Sequence, residues 1–287
     1  GETDVIPAQV VQIKTTEAEH RVTAEEVLYS ETVAPEDPNI KNIAIDSSRL
    51  NVNLYSLALA SNFSAPATGD TWIFTVAEGV VIGSNSTGAG GVDTGAGWPA
   101  GVTIRLVILP GAYVVGRGGD GGSATALGSI KTGYYESIAE NGKSGGPALR
   151  AQVPLEIDNR ATIGGGGGGG GGAVANAIVI VAVASGSGGA GSITGVGGAA
   201  VNNTEAVEVS RATVTGQSGT VSTGGEAISA TTSIESIRFT ATCGRGGSLG
   251  QAGGNGTTSG SVGPSESFVG TGGLPGPAVV GNANITW

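Results

Sequence analysis

The chain has 287 residues, a formal net charge of −10 and 55 glycines, with 39% hydrophobic residues, 4% aromatics and no methionine. That apolar content is enough for a core and argues against wholesale disorder, while the acidic balance argues against binding nucleic-acid phosphates or anionic lipid, which takes clustered Lys and Arg. One cysteine, Cys243, and one histidine, His20, give neither a disulfide framework nor a zinc site, so no metal and no cofactor is expected.

The start, GETDVIPAQVVQIK, lacks the basic-then-apolar order of a signal peptide and reads as beginning mid-protein. Only Gly1, Gly69 and Gly79 precede Gly83, and the long glycine-poor stretch alternates apolar and polar residues as half-buried strands do. The predicted strands are residues 10–13, 20–24, 27–29, 43–45, 50–57 and 72–76, with a breaker at residues 35–38 (PEDP). Thr23 and Glu26 have the spacing of a helical capping box, but β-branched neighbours favour a strand. Residues 102–109 form a further strand, ending at Pro110-Gly111.

Beyond this point glycine dominates. A loose repeat runs through GRGGDGG at 116, GSGGAG at 186, GRGGSLG at 244 and GTGGLPG at 270, and GGPAL at 145 is echoed by PGPAV at 275. Between these lie apolar runs at residues 153–157, 173–184 and 237–243. The 173–184 run (AVANAIVIVAVA) is too short for the roughly 18 apolar residues of a membrane span and reads as a buried strand, so no membrane insertion is expected. The alternation at 237–243 puts Cys243 on an inward face.

Residues 164–172 are nine consecutive glycines. Each ordered residue costs on the order of 1–2 kcal/mol of backbone entropy, and glycine loses the most, so an ordered nonaglycine needs dense backbone hydrogen bonding. A flexible linker rarely stands between two core strands. A polyproline-II-like glycine helix, rising about 3.1 Å per residue, presents N–H and C=O radially and packs beside others of its kind. Collagen is the competing form, but the G-X-Y period fails within a few residues. The fold class expected is all-β with polyglycine-II-like glycine helices, a helix-poor elongated fibre or tip module. Its regions are 1–45 as the end of a β-domain or hub connection, 46–115 as a β-rich fibre or knob domain, and 116–287 as a glycine-rich tip.

Motifs that look catalytic do not stand up. Gly116, Gly118 and Gly121 match the dinucleotide fingerprint, yet no amphipathic helix follows to bind the phosphates. Ser144 sits in a G-x-S-x-G pattern without the strand-to-helix turn of a nucleophile elbow, and Gly142-Lys143-Ser144 lacks the first glycine of a P-loop, which is Ser137. Asp120, Glu136, Glu140, Glu156 and Asp158 are the acids to weigh as a glycosidase pair. None is near a sequence cluster of Trp and Tyr, Asp158-Asn159 reads as a turn, and no catalytic residue is expected. Five N-x-[ST] sequons are incidental in a chain so rich in Asn, Ser and Thr.

A strand ending in G-x-GG-x-GG, a variable loop, GGPAL, and an I-x-N segment running into polyglycine resemble the glycine-rich C-terminal modules of tailed-phage tail fibres and central tip fibres. Residues 80–83, 98–104 and 109–119 fit the same pattern, and residues 20–29 (HRVTAEEVLY) resemble the last strands before the fibre in hub proteins of the lambda host-specificity type. The alternative resemblance is to the glycine-rich adhesins of T-even-type phages. The resemblance implies a receptor-binding protein in the virion at the distal end of the tail, contacting an outer-membrane protein, lipopolysaccharide or pilus and joined to other tail-tip proteins. Hub-type fibres are homotrimers, the form favoured by the non-glycine start, whereas T-even-type adhesins pack their glycine helices within one chain. The competing functions are a purely structural fibre or trimerisation segment and a capsule or lipopolysaccharide depolymerase.

If glycine segments make a rigid scaffold, recognition falls to the loops between them. The candidates are Lys131, Tyr134 and Tyr135, since adjacent tyrosines offer large contact area at low entropy cost, with Trp98, Gln251, Asn255 and Phe268. Core packing or trimer contact is the plain alternative for each, and Trp287 reads as core.

Overall fold

In a computed structural model, the chain is described at residues 8–14, 23–29, 37–129, 134–177, 180–192, 195–205, 210–261 and 266–287. It divides into two units, Gly1–Pro38 and Asn39–Trp287. In the first, β1 (Ala8–Lys14) and β2 (Thr23–Tyr29) pair antiparallel, Ala8 opposite Tyr29 and Lys14 opposite Thr23. Thr23 and Glu26 thus stand in a strand, as their β-branched surroundings favour; His20 lies outside the described residues.

The second unit is built on a parallel β-solenoid whose coils place one strand on each of three sheets. The first coil is β3 (Ile40–Ile45), β4 (Arg49–Leu50) and β5 (Val52–Asn53), followed by α1 (Leu54–Ala60). The second is β6 (Thr71–Val76), β7 (Val81–Gly83) and β8 (Val92–Asp93). The third begins with β9 (Thr103–Ile108) and β10 (Tyr113–Val115). The chain then leaves to form the hairpin β11 (Ala124–Ser129) and β12 (Tyr134–Ala139), and returns as β13 (Leu149–Arg150). The fourth begins with β14 (Leu155–Asn159) and β15 (Thr162–Gly164) and departs again. This longer excursion carries β16 (Ala173–Ala177), β17 (Ile180–Ala184), β18 (Ala200–Glu205), β19 (Ser210–Val214), β20 (Ser229–Ile234), β21 (Ile237–Thr242), β22 (Thr257–Gly260) and β23 (Glu266–Val269). It comes back as β24 (Val279–Val280), and β25 (Ile285–Thr286) starts again on the first sheet. The three sheets run β3-β6-β9-β14-β25, β4-β7-β10-β15 and β5-β8-β13-β24.

Alternation along these strands fills the solenoid interior. Trp72, Phe74 and Val76 of β6 and Ile104, Leu106 and Ile108 of β9 are buried, and their neighbours point out. Each such side chain contributes roughly 1.5–3 kcal/mol on burial. The echo of GGPAL and PGPAV is solenoid register: Leu149 pairs with Val279 and Arg150 with Val280.

Two sequence expectations need correction. Residues 50–57 are not one strand, because the chain turns into α1 at Leu54. The Asn53 side chain accepts a hydrogen bond from the Ser56 N–H at 2.9 Å, capping the helix, and Leu54 and Ala58, one helical turn apart, are buried. Residues 173–184 are two strands: β16 and β17 pair antiparallel, Ala173 opposite Ala184 and Ala177 opposite Ile180. The apolar run is continuous because β17 is buried throughout.

The glycine segments join solenoid to tip. Through residues 166–172, successive N–H groups donate in rotation to three segments: Gly166, Gly169 and Gly172 to the carbonyls of Gly146, Lys143 and Glu140; Gly167 and Gly170 to Ala190 and Ser187; Gly168 and Gly171 to Gln251 and Gly254. Carbonyls from Gly164 to Gly172 accept in the same three-residue rhythm from Gly116, Gly119 and Gly122, from Gly250, Gly247 and Gly244, and from Gly276, Gly273 and Gly270. The nonaglycine is therefore the centre of a bundle with neighbours on every side. A Cβ built on any residue from Gly165 to Gly171 would overlap a neighbouring carbonyl. At the periphery one position in three faces outward: Gly116, Gly118, Gly119, Gly121 and Gly122 are buried, while Arg117, Asp120 and Ser123 are partly exposed.

At the far end of these segments the strands form three layers. The sheet β19-β17-β16-β23 lies between β12-β11-β18 and β20-β21-β22. Ala175, Ile180 and Ala182 meet Ala230, Phe239, Ala241 and Cys243 on one side, and Val174, Val181 and Val183 meet Ala124 and Ala126 on the other. Cys243 is buried, as its place in the alternation predicts.

Candidate functional site

Two hairpins of the tip carry the residues to consider. The β11–β12 hairpin is in register from Ala124 opposite Ala139 to Ser129 opposite Tyr134, with Gly128 opposite Tyr135. Tyr134 and Tyr135 therefore open β12 at the hairpin tip; Lys131, and the side chains of both tyrosines, lie outside the described residues. The β20–β21 hairpin turns at Glu235, whose φ of 52° is in the left-handed region.

The structure separates the remaining candidates. Phe268 of β23 is opposite Val174 and packs against the apolar cluster shared by β11, β16 and β17. Asn255 is exposed, and its Oδ1 accepts the Gly272 N–H at 2.9 Å, which braces two glycine segments. Gln251 is exposed at the turn on the solenoid end of the bundle, where its carbonyl accepts from Gly168. Trp98 belongs to the solenoid: its Nε1 donates to the Thr94 carbonyl at 2.7 Å, and its ring meets Tyr55 edge-on with centroids 5.3 Å apart and Trp72 at 6.0 Å. Only the strands bearing Tyr134, Tyr135 and Phe268, β12 and β23, are brought together at the tip.

Three exposed apolar residues at the tip are missed by sequence reasoning: Ile138, Ile237 and Val269. The sequence conceals Ile138. Ser137 accepts a hydrogen bond from Asn176 Nδ2 at 3.2 Å, so β12 turns a polar residue inward and an isoleucine out, the reverse of ordinary strand patterning.

Trp287 is a correction, being 64% exposed where a core position is expected. It follows β25, an edge strand, beside the outward face that carries Arg105, Glu156 and Asp158.

Three of the acids have structural partners. Asp120 pairs with Arg117 at 3.0 Å and accepts the Val196 N–H. Glu140 accepts from the Ser123 N–H at 3.4 Å. Asp158 is gripped by Arg160 at 2.9 Å and Arg105 at 3.5 Å. The Arg160 hydrogen bond, with both guanidinium charges, holds its carboxyl below the ordinary aspartate value. Asp158 and Asn159, expected to turn, instead end strand β14, and the bend follows at Arg160 and Ala161, where Asn159 Oδ1 accepts the Ala161 N–H. Gly116, Gly118 and Gly121 lead into a strand, β11, and Ser144 is an exposed residue of a glycine segment. Among the described residues no three of His, Cys, Asp and Glu gather as a metal site, and no helix is long and apolar enough to cross a membrane.

Residues 40–287 match the family model described as phage tail fibre adhesin Gp38. The chain belongs to this family of tail fibre adhesins. It is accordingly a receptor-binding protein of a bacteriophage, carried in the virion at the distal end of the tail. The crystal structure of the gp37-gp38 adhesin tip complex of the bacteriophage S16 long tail fibre is similar, with a TM-score of 0.48 and 20% identity, covering 84% of this chain and 75% of that one. No curated protein matches. The family match begins where the solenoid does, and residues 1–39 fall outside it.

Proposed function

We propose that this adhesin binds the bacterial surface through the strand connections of its three-layered tip, without catalysis, and that the glycine segments are polyglycine-II helices serving as a rigid scaffold. The observation that carries the reading is the three-residue rhythm of hydrogen bonds around the nonaglycine, which fixes every excursion at its base and leaves only the strand ends free to vary. Recognition then falls to the β11–β12 tip with Lys131, Tyr134 and Tyr135, supported by Ile138, Ile237 and Val269. Phe268 and Asn255 brace this surface from beneath, and Trp98 and Gln251 support it from the base. The receptor is an outer-membrane protein, lipopolysaccharide or pilus.

Satisfaction of the glycine segments by one another within one chain favours a T-even-type adhesin acting as a single-chain cap over a homotrimer of the hub type. In this reading residues 1–39 join the adhesin to another tail-fibre protein, residues 40–115 form most of the base, and residues 116–287 carry the tip, apart from 149–164 and 279–287, which return to the base.

Purified protein should adsorb to a narrow set of bacterial strains and block infection by the parent phage. The double variant Tyr134→Ala, Tyr135→Ala should lose both effects while unfolding at the same temperature. A spacer would not adsorb, and release of soluble sugar from capsule or lipopolysaccharide would show a depolymerase instead.

A further inference from the structure

A cleft of about 300 Å³ opens on the outer face of the first solenoid sheet, lined by Arg105, Glu156, Asp158, Thr286 and Trp287. Parallel register builds it: Arg105 of β9 is opposite Glu156 of β14, which is opposite Thr286 of β25. Adjacent strands are about 4.8 Å apart, so these side chains form a short row of donors and acceptors. Asp158 stands one outward position further along β14, clamped between Arg105 and Arg160. Trp287 borders the row with most of its indole exposed, whereas Trp72 is fully buried and Trp98 is half-buried in the core.

An indole beside a fixed row of charged donors and acceptors has a specific use. The C–H face of a pyranose stacks on an aromatic ring, and the sugar hydroxyls bond to carboxylate and guanidinium groups at its edge. Asp158 is already paired with Arg105 in the cleft and with Arg160 outside its lining, so the row suits the hydroxyls of an uncharged ligand. Its volume is at the lower end for small-ligand sites, roughly 300–1,000 Å³, which fits one sugar ring.

We infer that this cleft is a binding subsite for a neutral hexopyranose unit of a bacterial-surface glycan, separate from the recognition surface at the tip.

The test is titration of the full chain with methyl glucopyranoside, methyl galactopyranoside and methyl mannopyranoside, followed by NMR of the three tryptophan indole N–H signals. The expected result is a saturable shift of the Trp287 signal by at least one glycoside, with a dissociation constant on the order of 1 mM. Trp287→Phe should retain part of the binding, followed by glycoside saturation transfer, and Trp287→Ala should abolish it. Arg105→Gln should weaken it by about ten-fold, and unchanged circular dichroism would show the variants folded. No Trp287 shift with any glycoside, or binding undiminished in Trp287→Ala, would overturn the inference. Either result leaves adsorption through the tip untouched.

Discussion

Gly83 and Ser192 are in such close contact that a Cβ on the glycine would overlap that of the serine. Ser192 Oγ accepts the Ser84 N–H at 2.9 Å and bonds the Ser84 carbonyl, while Ser84 Oγ reaches Asn51. Ser192 thus anchors the foot of its glycine segment on the second coil. Gly83→Ala should cost about 1–3 kcal/mol, and adding Ser192→Gly should recover part of the loss. Denaturant unfolding of both singles and the double gives the coupling directly, and additive effects would show that the two residues do not share this contact.

The bundle makes a sharper distinction between two positions. Gly168 has its Cβ position filled by the Gly273 carbonyl, while Leu274, next in the chain to that glycine, is exposed. Gly168→Ala should destabilise by about 3 kcal/mol or more, and Leu274→Ser should stay within about 0.5 kcal/mol of the parent. Comparable thermal midpoints for the two variants would contradict the central placement of the nonaglycine.

Lys41 and Asp70 form an ion pair at 3.0 Å that is nearly closed to solvent. Asp70 also accepts the Ala67 N–H at 2.9 Å, and this bond first, then Lys41, lowers its pKa below the ordinary 3.8. A carboxylate with a depressed folded pKa stabilises the fold above its unfolded value and loses that contribution as pH falls through the folded one. Lys41→Met should therefore lower the thermal midpoint at pH 7, with the gap to the parent narrowing as pH falls below about 4. A gap constant down to pH 2 would show that Asp70 does not titrate as described.

Ile138 and Val269 are exposed near the bundle-side ends of the edge strands β12 and β23, which are brought together. Ile138→Ser with Val269→Ser should reduce adsorption to host cells several-fold and leave the unfolding midpoint within about 0.5 kcal/mol of the parent. Full adsorption would remove both from the recognition surface.

Parts of this fold are legible in the sequence. The strands at 72–76 and 102–109 alternate cleanly because one face of each meets the solenoid core. The nonaglycine announces a packed segment because strands enter and leave it. The solenoid itself is obscured, since the third and fourth coils are interrupted by excursions that place Leu149 and Val279 far from the strands they continue. α1 is hidden because Leu50, Val52 and Leu54 alternate up to the capping residue, after which Leu54 and Ala58 follow helical spacing. Glu156 and Asp158 have no aromatic neighbour in sequence; only register brings Trp287 to them.

The central position of residues 164–172 also dictates an order of events in folding. Their hydrogen-bond partners extend from Gly116 to Gly276, so the middle glycines have no complete set of neighbours until almost all of the chain has emerged. Contacts this distant in sequence make for slow folding, and a newly made chain must hold its earlier coils while its longest segment of bare backbone waits for the last strand to arrive. The solenoid coils of β3 to β9 close from local sequence and are suited to that waiting. Synthesis would then proceed from a settled base to a tip that locks in one late step.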